Sequence, residues 1–281
     1  MDGYLIDSGL ILEFDRYLRR QERADRTAEK YLRDVRAFAS WAADRRVTKE
    51  LVIAWKESLS AGGYAPATIN SMLAALHRFF AFANWENCRV KYLRVQRQLF
   101  RQPDRELTRE DFSRLIDAAR RLGRERLVLL METICATGIR VSEVKYITLA
   151  AAENGRAEIS LNGKIRTRLL RSQLCTKLVN YHTNQKRASD EIFCTRSGKS
   201  LDRKQIWAEM KSICDAAGVE AGKVFPHNLR HLFAQVFYRS CRDVAKLADV
   251  LGHSSIETTR IYLVSTGAEH ARELERLELV S

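Results

Sequence analysis

Residues 226–262 read PHNLRHLFAQVFYRSCRDVAKLADVLGHSSIETTRIY and are the most informative stretch of the chain. The pattern predicts helices that continue, with breaks, from about Asp202 onward, and LGHSSIETT (251–259) is a junction between two of them. Four polar residues stand along these helices, in the order His227, Arg230, His253 and Tyr262. This order suits a tyrosine hydroxyl that attacks a phosphodiester, because arginine holds phosphate oxygens with paired donors and imidazole moves protons or donates hydrogen bonds.

An arginine far upstream has neighbours suited to the same chemistry. Arg140 lies in ATGIRVSEV (136–144), after a nearly all-apolar segment (127–136) that predicts a buried helix. Glu143 stands three residues on, where its carboxylate can hold the guanidinium fork. A guanidinium offers donors to two phosphate oxygens and does not deprotonate. Arg140 and Arg230 are therefore the predicted phosphate ligands.

Residues 157–170, AEISLNGKIRTRLL, break the helical pattern and predict a β-hairpin. Apolar residues flank Asn162-Gly163, a dipeptide typical of tight turns. Lys164 follows directly after that turn, and residues 191–194 predict a further short strand. A lysine beside a turn is usually only solvated, so its position alone assigns it no role.

These residues match, in order, the signature of the tyrosine recombinase (phage integrase-type) family, which the chain resembles: Arg140, Lys164, His227, Arg230, His253 and Tyr262. Tyr262 lies nine residues after His253, as in that family. The resemblance implies that Tyr262 attacks the scissile phosphate and leaves a 3′-phosphotyrosyl bond, and that Lys164 protonates the departing 5′ hydroxyl. It also implies that strand exchange needs neither a metal nor another cofactor.

The resemblance further implies double-stranded DNA with inverted-repeat sites as the partner, and a homotetramer on two synapsed sites. It leaves open whether a directionality factor or a host DNA-bending protein takes part. The segment after Tyr262 carries apolar residues on a mostly polar background and resembles the tail helix that family members dock on a neighbouring protomer. The alternative, that this segment packs on its own protomer, stays open as well.

Other interpretations compete at several of these positions. His231 has apolar neighbours, which favours a structural role, and no carboxylate or cysteine completes a metal site with the histidines at a familiar spacing. Arg166 and Arg168, beside Lys164, are predicted phosphate contacts.

The composition suits a polyanionic partner. The chain of 281 residues carries 48 Lys and Arg against 35 Asp and Glu, a net charge of +13, and nucleic acid is the commonest polyanion. A run without acidic residues forms a predicted phosphate-tracking strap: Arg89, Lys91, Arg94, Arg97 and Arg101. Six scattered cysteines, without a secretory signal or a membrane-length apolar run, favour a soluble cytoplasmic protein with reduced thiols.

The first hundred residues predict four helices, with Thr27 capping the second, Gly62-Gly63 ending the third and Pro66 opening the fourth. The predicted fold is mainly α with a small β-hairpin: a SAM-like helical core-binding domain (1–88), a basic linker (89–104) with its boundary at Pro103-Asp104, and a mixed α/β tyrosine recombinase catalytic domain (105–281). This two-domain plan resembles that of Xer-like enzymes and mobile-element integrases.

Two other functions remain open at this point. A nicking-closing enzyme similar to the type IB topoisomerases shares the catalytic set and would relax supercoiled DNA that carries no specific site. A non-catalytic DNA-binding protein on the same fold would form no covalent adduct.

Overall fold

The computed structural model describes residues 3–95, 105–161, 164–185, 189–253, 255–260, 262 and 276. The chain divides into two compact units, Met1–Arg97 and Gln98–Ser281. This division falls within the predicted basic linker, whereas the domain limits given above stay a prediction. Pro103-Asp104, the Asn162-Gly163 turn and most of the segment after Tyr262 lie outside the described residues.

Four helices build the first unit: α1 (Ser8–Arg20), α2 (Asp25–Ala42), α3 (Lys49–Ala61) and α4 (Pro66–Phe82), followed by a short 3-10 helix (Glu86–Cys88). Their apolar faces enclose a core rich in aromatic side chains, which include Phe14, Phe38, Trp55, Phe79 and Phe80. The rings of Phe38 and Trp55 meet edge to face, with their centroids 5.0 Å apart. The predicted helical bundle is confirmed.

Most of the predicted helix ends in this unit are confirmed. Gly62 caps the end of α3, and Pro66 occupies the first turn of α4, where its missing N–H is not needed. The predicted cap at Thr27 is wrong: α2 begins at Asp25, and the Thr27 N–H already donates to the Ala24 carbonyl. Thr27 thus lies within the first helical turn.

The second unit is also mainly helical: α5 (Arg109–Arg121), α6 (Glu125–Thr137), a 3-10 helix (Val141–Tyr146), α7 (Leu149–Glu153), β1 (Arg156–Leu161), β2 (Lys164–Leu169), α8 (Ser172–Gln185), α9 (Arg203–Lys211), α10 (Cys214–Ala217), a 3-10 helix (Ala221–Lys223), α11 (Pro226–Cys241), α12 (Val244–Leu251) and α13 (Ile256–Arg260). Helix α6 is its central element and packs against α5, α8 and α11. Its apolar side chains form the middle of the core, as predicted.

The predicted hairpin is confirmed, since β1 and β2 pair antiparallel. The further strand predicted at 191–194 is wrong. Those residues form only two isolated bridges, Glu191 with Thr148 and Cys194 with Ser200. Among the described residues, no helix is both long and apolar enough to cross a membrane.

Gly138 ends α6 and directs the chain towards Arg140. Its φ of +62° is in the left-handed region, and a Cβ at this position would lie 2.5 Å from Phe233 Cδ1 and 3.0 Å from Leu251 Cδ2. Glycine is therefore required here for two reasons, the backbone conformation and the close approach of α11 and α12.

We expect Gly138→Ala to lower the free energy of unfolding by about 1–2 kcal/mol for the left-handed backbone and by about 1–3 kcal/mol more for overpacking. Gly123→Ala is the matched control, because Gly123 has a φ of +65° with nothing within 4 Å of an added Cβ. Urea unfolding of both variants measures the difference. Equal losses would show that packing around Gly138 is not tight.

Candidate active site

The first predicted phosphate ligand, Arg140, is oriented by a buried carboxylate. It directly precedes the 3-10 helix at Val141, and its Nη1 donates to Glu143 Oε1 at 3.0 Å. The backbone N–H of Arg140 donates to Glu143 Oε2, also at 3.0 Å. The predicted pairing of Glu143 with this guanidinium is confirmed. The Arg140 side chain remains partly exposed, so a phosphate can approach it from solvent.

The second predicted ligand, Arg230, lies one helical turn after His227 on α11 and is only 3% exposed. Its guanidinium donates to the backbone carbonyls of Gly138 and Leu251. Its Nε lies 3.5 Å from the Tyr262 hydroxyl. Burial lowers the pKa of Arg230, an effect that the Tyr262 hydroxyl partly offsets. A single side chain thus joins the end of α6, the end of α12 and the predicted nucleophile.

His253 follows Gly252, the glycine that caps α12. Its Nε2 lies 2.8 Å from Arg230 Nη2, and its Nδ1 lies 2.9 Å from the hydroxyl oxygen of Thr259. Burial, together with the charge of Arg230 and of three more arginines, lowers the pKa of His253 to about 4. The ring is therefore neutral at pH 7. Because Nε2 faces a donor, this arrangement places the ring proton on Nδ1, which donates to Thr259.

Tyr262 is 4% exposed and lies among aromatic and imidazole rings. Its ring is stacked on that of His253, with centroids 5.8 Å apart, and meets the ring of His231 edge to face at 4.3 Å. Its apolar edge joins a small core with Leu247 and Leu251. The Tyr262 ring is therefore held by packing, and its hydroxyl lies beside Arg230.

The histidines of α11 form a pair beside this tyrosine. His227 Nε2 and His231 Nε2 lie 3.0 Å apart. Partial burial, followed by the charges of Arg230 and Arg203, lowers the pKa of His227. The apolar sequence neighbours of His231 predict a structural role for it, but its ring also contacts His227 and Tyr262. Its i, i+4 spacing from His227 is the signal that places both rings on one helix face.

Lys164 begins β2 and pairs with Leu161 across the hairpin. Its side chain lies outside what the structure describes. The register also pairs Arg166 with Ile159 and Arg168 with Ala157, and both β1 residues are fully buried. Because side chains alternate along a strand, β2 turns Arg166 and Arg168 inward, while Ile165 is 74% and Leu169 is 79% exposed.

One predicted DNA contact needs correction. Arg168 is 3% exposed, and both of its terminal nitrogens donate to backbone carbonyls, those of Val250 and Leu251. It is therefore not available to a phosphate in this arrangement. Arg166 is half-buried beside Gly252 and stays a predicted contact.

The part of the basic strap that the structure describes lies along α4. Asn70 anchors it through two hydrogen bonds with the backbone of Leu93, at 2.8 and 2.9 Å. Arg89, Lys91 and Arg94 are exposed, although Arg89 also pairs with Glu86. Arg97 and Arg101 lie outside the described residues. Across the described ranges, no group of three or more histidine, cysteine or acidic side chains could hold a metal ion.

Comparisons with known proteins identify the family of both units. The model of the phage integrase family matches residues 105–269, and the model of the phage integrase N-terminal SAM-like domain matches residues 11–87. Tyrosine recombinase XerA of Thermococcus kodakarensis is 28% identical, over 95% of this chain and 94% of that protein. Tyrosine recombinase XerA of Pyrococcus furiosus is 30% identical, over 79% of this chain and 78% of that protein.

Solved structures share the fold. The XerH site-specific recombinase bound to its difH substrate superposes with a TM-score of 0.67 at 20% identity, covering 97% of this chain and 99% of that one. A lambda integrase dimer bound to a core site gives a TM-score of 0.72 at 16% identity, covering 90% of this chain and 94% of that one.

The depressed pKa of His253 predicts a pH-dependent stability. The unfolded chain takes up a proton at the ordinary histidine pKa of 6.5, whereas the folded protein does so only near 4. Stability is therefore lost as the pH falls through this window. We expect this one group to lower the free energy of unfolding by about 1 kcal/mol between about pH 6.5 and about pH 5, after allowance for solvent screening of the partly exposed ring.

Urea unfolding at the two pH values, compared with His253→Asn, isolates this contribution. The variant should lose less stability on acidification than the wild type. An equal loss in both proteins would mean that His253 takes up its proton as readily when folded as when unfolded.

Proposed function

This chain belongs to the phage integrase family of tyrosine recombinases, enzymes that cleave and rejoin DNA, and we propose that Tyr262 is its nucleophile. The observation that carries the proposal is the meeting of the buried Arg230 and Tyr262 with the partly buried His253. The chain acts in site-specific DNA recombination. The family match over both units does not favour the topoisomerase or the non-catalytic alternative.

In the proposed reaction, the Tyr262 oxygen bonds to the scissile phosphorus and the bond to the 5′ oxygen breaks. The phenolic proton leaves to a neighbouring base, and Lys164 supplies a proton to the departing 5′ oxygen. The result is a 3′-phosphotyrosyl ester and a free 5′ hydroxyl. Because the ester keeps the energy of the phosphodiester, a 5′ hydroxyl from another duplex reverses the step without an external energy source.

The arginines and histidines divide the remaining work. Arg140 and Arg230 neutralise the charge that develops on the nonbridging oxygens, an effect that is strongest where water is excluded. We assign acceptance of the phenolic proton to His227, which lies beside Tyr262, and hydrogen bonding to His253. The geometry of the arginines supports these roles. Arg140 forms an ion pair with Glu143, and Arg230 lies within hydrogen-bonding distance of His253 and Tyr262.

We assign phosphate contacts to the basic strap and to Arg166 of β2; the strap residues are Arg89, Lys91, Arg94, Arg97 and Arg101. The complete exchange of four strands requires a homotetramer on two inverted-repeat sites. We also propose a mobile element as the carrier of those sites and a cytoplasmic location, and the proposal leaves open whether a directionality factor or a host bending protein takes part.

Tyr262→Phe should bind DNA normally and form no covalent complex, because it lacks only the attacking oxygen. A nicked suicide duplex built from the inverted repeats flanking the gene, run with the protein on a denaturing gel, measures the adduct. Tyr238→Phe is the matched control, since Tyr238 packs near the same small core, and it should form the adduct. If Tyr262→Phe still formed the adduct, another residue would be the nucleophile.

Replacement of Arg94 and Arg97 by glutamine should weaken DNA binding and flatten its salt dependence by about one unit per lost phosphate contact. Affinity for one duplex across a range of salt concentrations measures this slope. Arg20→Gln with Arg23→Gln is the control, because it removes the same charge from exposed positions outside the strap. The same slope in both double variants would make the strap a plain linker.

A further inference from the structure

Arg168 has a role that DNA contact does not explain. It is a nearly fully buried cation, and in the described part of the chain no carboxylate forms an ion pair with it. Its Nε is buried as well and has no hydrogen-bond acceptor among the described residues. Burial lowers its pKa to about 10. A desolvated charge with an unsatisfied N–H is costly, so net stabilisation is a poor account of this residue.

The contacts that Arg168 does make converge on the end of one helix. Its Nη1 donates to the carbonyl of Val250 and its Nη2 to that of Leu251, the latter at 2.8 Å. These two residues are the last of α12, where carbonyls have no partner within the helix. The two terminal nitrogens of Arg168 therefore cap the carboxyl end of α12, and the guanidinium places positive charge at the negative end of the helix dipole.

The next residue, Gly252, is fitted to this cap. Its φ is +61°, and a Cβ there would lie 3.0 Å from Arg168 Nη2 and 3.0 Å from Arg166 Cδ. The hairpin arginines thus pack directly on the turn that follows α12, a turn that only glycine fits without strain.

The Leu251 carbonyl connects this cap to the reacting groups. It accepts from Arg168 Nη2 at 2.8 Å and from Arg230 Nη2 at 3.0 Å. The same Arg230 nitrogen lies 2.8 Å from His253 Nε2. The position of one carbonyl thus links Arg168, on the hairpin, to the pair of groups beside Tyr262.

We propose that Arg168 is a positioning residue, which holds the Val250–Gly252 turn so that His253 meets Arg230. This inference rests on the proposed function for its catalytic consequence. It also ties the strand that begins at Lys164 to the junction that carries His253.

Arg168→Met tests the proposal, because methionine fills much of the same space and donates no hydrogen bond. We expect unchanged affinity and salt dependence for the nicked suicide duplex. At saturating protein, adduct formation should slow by about 10- to 100-fold, the cost of a misplaced reacting group. Arg168→Lys should recover part of the rate, since an ammonium can reach one carbonyl but lacks the fork.

Arg156→Met is the matched control. Arg156 is exposed at the start of the same hairpin, so the variant removes the same charge without touching α12. Its rate of adduct formation should equal that of the wild type.

A readout without DNA separates this inference from the proposed function. In an NMR titration of labelled histidine, the pKa of His253 should rise in Arg168→Met, which also removes one of the charges that lower it, and stay unchanged in Arg156→Met. Gly252→Ala keeps the charge of Arg168 but disturbs the same contact, and it should raise the pKa too. When Arg168→Met and Gly252→Ala are combined, adduct formation should be little slower than in the slower of the two single variants, because both changes break the same contact.

Several results would overturn the proposal. They are a wild-type adduct rate in Arg168→Met, an unmoved His253 pKa in Gly252→Ala, fully multiplicative rate losses when Arg168→Met and Gly252→Ala are combined, or a flattened salt dependence in Arg168→Met, which would make Arg168 a phosphate contact. If Arg168→Met does not fold, Arg168→Lys decides through the same two readouts. If the wild-type protein itself forms no adduct, the proposed function fails, and the NMR titration still decides the role of Arg168.

Discussion

The buried guanidinium of Arg230 is the interaction on which the catalytic unit depends. It reaches the carbonyls of Gly138 and Leu251, the ring of His253 and the hydroxyl of Tyr262. These partners come from three segments of the chain: the end of α6, the end of α12 with the turn that follows it, and Tyr262. Arginine suits this position because its planar fork offers several donors in fixed directions.

The charge balance around Arg230 explains what the site is fitted to bind. Arg140, Arg166 and Arg168 all lie close enough to lower the pKa of His253 together with Arg230. Glu143 is the buried carboxylate that faces Arg140 and partly offsets this cluster. A phosphodiester supplies negative charge of the kind that such a cluster favours. The same field keeps His253 neutral, so it can serve as a hydrogen-bonding group rather than as another cation.

Much of this arrangement could be predicted from the sequence because its signals are local. Gly138 before Arg140, Glu143 three residues on and Asn162-Gly163 before Lys164 are short-range patterns, and the order of the site residues identifies the family. The four-residue spacing of His227 and His231 on α11 also predicts that both rings lie on one helix face. The apolar neighbours of His231 do not indicate this, yet its ring contacts His227 and Tyr262.

The rest depended on contacts between residues far apart in sequence. The alternation in β2 does not tell which face is buried, and here the apolar Ile165 and Leu169 face solvent while Arg168 lies inside. Arg168 can do so because carbonyls from positions 250 and 251 accept its hydrogen bonds. At Thr27, a good capping residue lies within a helix that starts two residues earlier.

The most direct test of the account is to identify the residue that carries DNA after cleavage. The trapped adduct is digested with nuclease and trypsin, and mass spectrometry locates the attached nucleotide. Tryptic cleavage after Arg260 and Arg272 releases residues 261–272, which contain one tyrosine. The account predicts a 3′-linked nucleotide on Tyr262 in this peptide. A nucleotide on another residue would contradict it, because the Arg230 cluster would then surround a tyrosine that does not react.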